Sequence, residues 1–104
     1  MWTQAVGKRV EFHPLFDCDI REAAAWYDRR SRSLGDAFVR QAKAKVADIQ
    51  RNPQQYGRFF DEARYAQLSR FPYVILFEDA EAVLYFVGVL HTARDPAKWR
   101  ERFA

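Results

Sequence analysis

Apolar positions change their period twice along the chain. Residues 9–13, Arg-Val-Glu-Phe-His, alternate, which puts Val10 and Phe12 on one face of a short strand that Pro14 ends. From Phe16 the spacing becomes helical. Phe16, Ile20, Ala24 and Tyr27 fall at i, i+4, i+8 and i+11 and predict an amphipathic helix of about four turns. Asp17 stands where an N-cap or a first-turn acid belongs. Arg29–Gly35 interrupts the pattern, and Phe38, Ala42, Val46 and Ile49 repeat it in a second helix that Asn52-Pro53 stops. So short a link makes the two helices antiparallel neighbours.

Residues 54–62 read as a loop around Gly57. Period two then returns in a weak strand, Ala63–Ser69, a strong one, Tyr73–Glu78, and a stronger one, Val83–Leu90. A tight turn at Asp79-Ala-Glu81 joins the last two. The last strand is apolar on both faces, which makes it central or covered on both sides. Asp95-Pro96 starts a short helix at N-cap and N1 that carries Lys98, Trp99, Arg100 and Arg102. The order is strand, helix, helix, three strands, short helix. It predicts an α+β fold in which a helical hairpin packs on an antiparallel sheet and the first strand returns beside a later one. Residues 9–104 form one domain behind a frayed N-terminus, residues 1–8.

Composition narrows the function. With 104 residues, 49% of them hydrophobic, the chain has material for one real core and is not a disordered segment. A single cysteine, Cys18, and two histidines, His13 and His91, exclude a disulfide framework and Cys-rich or His-rich metal sites. No metal or cofactor is expected. Cys18 near a helix start is open to a lowered pKa, but with no histidine near it in the sequence it reads as a bystander. No run approaches the ~20 apolar residues of a membrane span, and the first nine residues lack a signal-peptide core, so the expected location is the cytoplasm. The net charge of +3 lies entirely in residues 1–52, with 10 basic and 7 acidic residues; residues 53–104 carry 7 of each. The sum says little about nucleic acid, and the placement of the charges matters more.

The chemistry-bearing residues gather in the second half: Arg64, Arg70-Phe-Pro-Tyr73, His91-Thr-Ala-Arg94 and Trp99-Arg100. In a meander, the turn after its first strand and the end of its third lie at one edge. Arg70, His91 and Arg94 are therefore expected to converge, with Tyr73 beside them. Guanidinium groups bind phosphate or carboxylate in bidentate fashion, and a histidine with a tyrosine can move a proton at an RNA 2′-hydroxyl. The plain structural roles are a hydrogen-bonded surface histidine, tyrosines at the core edge and Trp99 as a core cap.

These segments resemble the RelE/ParE superfamily of toxin–antitoxin toxins, in its ParE-like, plasmid-stabilisation branch. The resemblance rests on Val10-Glu-Phe-His-Pro14, Ala25-Trp-Tyr27, Leu34-Gly-Asp-Ala-Phe38, Ile49-Gln-Arg-Asn-Pro53, Arg70-Phe-Pro-Tyr73 and His91-Thr-Ala-Arg-Asp-Pro-Ala-Lys-Trp99, in that order. It implies a small cytoplasmic toxin, neutralised by a cognate antitoxin that carries the DNA-binding half, so that operator binding belongs to the complex. It implies one of two targets: DNA gyrase for ParE-like members, or mRNA on the ribosome for RelE-like endonucleases, which use several basic residues and a general acid or base. The four lysines (8, 43, 45 and 98) all lie outside the sheet region between Arg58 and Arg94, which favours gyrase. His91, with Arg64, Arg70 and Arg94 as clamps, keeps the endonuclease as the alternative, and an inactive toxin fold that only binds a partner is a third. The target-facing residues are then Arg70, Tyr73, His91, Arg94, Trp99 and Arg100. The antitoxin, offering a helix and an extended acidic segment, is expected on Ile20, Tyr27, Phe38, Arg40 and Lys43.

Overall fold

The computed structural model describes residues 8–93 and 95–103. Its elements are β1 (Arg9–Phe12), α1 (Phe16–Asp28), α2 (Arg32–Arg51), a 3-10 turn (Pro53–Gln55), β2 (Gly57–Phe60), β3 (Ala63–Gln67), β4 (Tyr73–Asp79), β5 (Val83–His91) and α3 (Pro96–Arg102). Asp95 caps α3 as its sequence predicts, its side chain accepting from Ala97 N at 2.9 Å. At α1 the N-cap is Leu15, without a side-chain cap, and Asp17 serves as a first-turn acid beside Asp19. The break between α1 and α2 is three residues long, so Leu34, Gly35 and Asp36 already belong to α2.

Gly35 explains how closely the two helices approach. A Cβ there would lie 2.8 Å from the Ala24 carbonyl oxygen and collide with the Asp28 carboxylate. The carboxylate can swing away, but the backbone oxygen cannot. Gly35→Ala is therefore expected to destabilise by about 1–3 kcal/mol, although alanine is the better helix former. A shift of the urea midpoint to lower concentration, with unchanged slope, checks this.

The sheet has the order β1-β5-β4-β3-β2. β2 to β5 form an antiparallel meander, whereas β1 joins β5 in parallel, from Arg9↔Val83 to Phe12↔Phe86. The expected antiparallel sheet is thus a mixed one. β1 runs on into α1 without reversing, and the later reversals (one between the helices, three between strands) are even in number. The chain consequently returns in its first direction. Residues 54–62, expected as a loop, contain β2. Its short length, adjacent Phe59 and Phe60, and a register shift after Arg58 hide the strand period. Asp61 makes the β2–β3 turn at φ 45°, a left-handed conformation that aspartate tolerates better than most residues.

Alternation along the strands builds two apolar layers. Ile75, Phe77, Leu84, Phe86 and Val89 face the helical hairpin and meet Phe16, Ala23, Phe38 and Ile49. Val74, Leu76, Val87 and Leu90 face the other way, under Phe59, Trp99 and Phe103. β5 is central in this sense, covered on both faces as its composition requires. The pairing passes from Leu76↔Gly88 to Phe77↔Phe86, so Val87 is an extra residue, a bulge that lets Phe86 and Val89 share one face.

At the β4–β5 hairpin end, Asp79 is almost wholly buried and ion-paired with Lys8, and Arg64 Nε lies 3.9 Å from its other oxygen. Lys8 reaches Asp79 from just before β1; residues 1–7 of the expected frayed N-terminus lie outside the described residues. Beside this pair, burial and the neighbouring Glu62 raise the pKa of Glu78. A carboxylate whose folded pKa exceeds its unfolded value loses stability as pH rises through the window between the two. Glu78→Gln is expected to remove that loss, so its denaturation midpoint should change less than that of the parent between acidic and neutral pH.

Candidate functional site

α1 runs along β5 past the end of β1. β1 stops at Phe12, opposite Phe86, and, among the described residues, positions 87–91 of β5 have no strand neighbour on that side. The space between α1 and this open edge is a cleft of about 340 Å³. Asp19, Glu22, Trp26 and Tyr27 line it from α1, and Val89, Leu90, His91 and Tyr73 from the sheet.

One end of the cleft is polar. The Asp19 carboxylate accepts from Val89 N at 3.0 Å and pairs with Arg102 at 2.6 and 3.1 Å. Arg102 also donates to the Val87 carbonyl at 3.2 Å. These two side chains satisfy backbone groups that the missing strand leaves open, as buried polar groups require. They cross at Gly88, where a Cβ would come within 2.6 Å of the Arg102 guanidinium. Glu22 lies one turn along α1. Its carboxylate accepts from the Cys18 thiol at 3.4 Å and raises the thiol pKa, first by that hydrogen bond and then by its charge. The lowered pKa that a helix-start cysteine invites is not found; the shift runs upward.

The other end is aromatic. Tyr73 and His91 are cross-strand partners with ring centroids 5.1 Å apart, and Tyr27 lies 6.3 Å from Tyr73. Trp26 is exposed, packs edge-on to Tyr27 at 4.9 Å and carries the Arg30 guanidinium 3.5 Å above its ring. His91 Nδ1 accepts from Ala93 N at 3.0 Å, so in the neutral imidazole the proton sits on Nε2. Burial pushes the Tyr27 hydroxyl pKa up.

The expected constellation is only partly assembled. Tyr73 and His91 meet, and exposed Arg70 stands in the turn before β4, with its guanidinium 5.5 Å from the Phe71 ring. Arg94 lies outside the described residues. Arg64 does not join them. It pairs with Phe77 near the other end of β4, is largely buried, and donates to the Tyr56 carbonyl at 2.6 Å beside Asp79. Trp99 and Arg100 sit across the sheet, on the face away from the hairpin. Trp99 packs on Phe59 as a core cap, and Arg100 stacks 4.1 Å over Phe60.

The five antitoxin-facing candidates also divide. Tyr27 lines the cleft, Ile20 is half-buried against the core, and Arg40 and Lys43 are exposed on α2. Phe38 is fully buried among Tyr27, Phe71 and Tyr73, so it supports a surface rather than presenting one. Sequence reasoning missed Asp19, Glu22 and Trp26. The available signal was Trp26 itself, a large aromatic residue off the apolar stripe of its helix.

A family model for the ParE toxin of the type II toxin–antitoxin system parDE matches residues 10–96. The chain belongs to the ParE toxin family. A solved structure titled the chromosomal ParDE toxin–antitoxin system from P. aeruginosa superposes with a TM-score of 0.73. It covers 83% of this chain and 97% of its own at 14% identity, a likeness that speaks for the fold alone. No curated protein matches significantly. For this ParE-type toxin, no described helix is long and apolar enough to cross a membrane.

Proposed function

We propose that this ParE toxin acts in the cytoplasm on DNA gyrase by protein contact, without catalysis of its own. The observation that carries this reading is the charge of the cleft. Its α1 wall presents the exposed carboxylate of Glu22, with Asp19 already neutralised by Arg102, while Arg64, one of the basic residues a phosphate clamp would need, is committed to Asp79 and the Tyr56 carbonyl. The Glu22 carboxylate offers nothing to an RNA backbone, whereas an exposed Trp26 beside Tyr27, Tyr73 and His91 is the composition of a protein-binding hot spot. A ribosome-dependent endonuclease is the second reading, supported by the Tyr73–His91 pair alone.

The cognate antitoxin neutralises the toxin, in this reading, by covering the same cleft. Tyr27, expected to face the antitoxin, and Tyr73 and His91, expected to face the target, line one surface. Occupation of that surface excludes the target. Acidic antitoxin residues then meet the exposed arginines at this end, Arg29, Arg30, Arg32 and Arg70. Operator DNA is bound through the antitoxin.

The test is a gyrase supercoiling assay with purified toxin, run beside primer extension on cellular mRNA after induction. Supercoiling should fall with micromolar toxin, and combined Trp26→Ala and Tyr73→Ala should raise the toxin needed at least tenfold, a loss of about 1.4 kcal/mol or more. Untouched supercoiling, with new mRNA 5′ ends that vanish in His91→Ala, would establish the endonuclease instead.

A further inference from the structure

The strand at the open side of the sheet carries charges that complement themselves. Among the described residues β1 is a terminal strand, paired only with β5. Arg9 N donates to Ala82 O at 3.1 Å and His13 N to Phe86 O at 2.8 Å. In a parallel ladder this alternation turns the backbone groups of Arg9, Glu11 and His13 inward, and those of Val10 and Phe12 outward. All four β1 residues are exposed; the strand is short and carries Arg9 and Glu11, but no proline or bulge interrupts its edge. Val10, Phe12 and Leu15 are 38%, 48% and 48% exposed, three of the five exposed large apolar side chains among the described residues. They form one apolar flank along this edge.

We propose that two copies of the toxin associate through β1, antiparallel and edge to edge, to form one continuous sheet across a two-fold axis. Charge favours a second copy of this strand as the partner and separates the two registers centred on Val10 and Glu11. Two antiparallel registers bring Val10 backbone groups into hydrogen-bonding position. Centred on Val10, the pairing sets Val10 opposite its symmetry mate and Arg9 opposite the mate's Glu11, twice. Centred on Glu11, it sets two glutamates face to face, which like-charge repulsion disfavours. Arg9 and Glu11 already bond within one strand at 3.2 Å, both well exposed, so each is free to exchange that contact for its equivalent across the axis. The Arg9–Glu11 positions are non-hydrogen-bonded pairs, where side chains lie closest. An isologous contact of this kind closes on itself and stops at the dimer. It uses the N-terminal half of the β5 side of the sheet and leaves the cleft open.

Sedimentation velocity on the full chain across micromolar concentrations tests this. The toxin should shift with concentration from 12.3 kDa toward twice that mass. Glu11→Arg, which sets arginines opposite each other, should weaken the association at least tenfold, and Arg9→Glu with Glu11→Arg should restore it. Val10→Cys in a Cys18→Ser background should give a disulfide-linked dimer under mild oxidation, because hydrogen-bonded antiparallel pairs have Cα atoms about 5.5 Å apart, within disulfide reach. A monomer at every concentration overturns the proposal, as does a dimer indifferent to both charge changes. So does a β1 edge that pairs only when antitoxin is added, which would assign it to an antitoxin strand.

Discussion

Phe38→Ala is expected to lower stability by about 3–5 kcal/mol, a large part of the roughly 5–15 kcal/mol that holds a domain of this size together. Phe38 is completely buried on α2, with its ring 5.7 Å from Tyr27, 5.2 Å from Phe71 and 5.0 Å from Tyr73. The loss combines transfer of a whole aromatic side chain with a cavity that rigid neighbours cannot fill. Two of those neighbours, Tyr27 and Tyr73, line the cleft, so the effect reaches the site. Urea denaturation should show the midpoint shift, and Phe38→Leu, which keeps most of the volume, should recover more than half of it. A loss under 1 kcal/mol would mean that α2 does not sit on the sheet as described.

Asp19→Ala is the second large effect, about 3 kcal/mol or more. The carboxylate does three things at once: it bonds Val89 N, neutralises Arg102 and fixes the guanidinium over the Val87 carbonyl. Both side chains are mostly buried, at 11% and 15% exposure, so removing one strands a charge that solvent screens poorly. Asp19→Ala and Arg102→Met together should cost less than the sum of the two, with a coupling of about 1–3 kcal/mol in a double-mutant cycle. Additive losses would show that the pair is a surface contact of little consequence. Asp19→Asn keeps an acceptor for Val89 N and is expected to fall between wild type and alanine.

Much of the fold was legible because periodicity is a local signal. The stripe Phe38–Ala42–Val46–Ile49 lies on the sheet as its spacing requires, and the doubly apolar Val83–Leu90 is sandwiched between two layers. What was hidden is relational. Nothing local distinguishes a parallel from an antiparallel β1, since its direction depends on how many times the intervening chain reverses. Phe59 and Phe60 defeat the strand period because β2 is short and irregular, and Phe60 turns toward Phe103 while Phe59 meets Trp99. The site was half legible. The meander logic brought Tyr73 to His91, but burial and ion pairing, which took Arg64 and Phe38 out of the surface, follow from three-dimensional neighbours. Asp19 was invisible for the same reason: in sequence it is one acid in a helix turn, and it is the end of β1 that leaves it the Val89 backbone amide to hold.

The parallel seam between β1 and β5 has a consequence at the level of the gene. It joins Arg9 to Val83, which lie far apart along the chain. A ribosome that has reached residue 82 has made both long helices and four strands, yet it has made neither the strand that binds them nor one wall of the cleft. Contacts of such long sequence separation form late in folding. A frameshift or stop codon anywhere ahead of Val83 therefore yields no weakened toxin, only a chain without a seam. Variants that no longer fold should then include truncations at any position ahead of Val83, not only lesions clustered at the cleft.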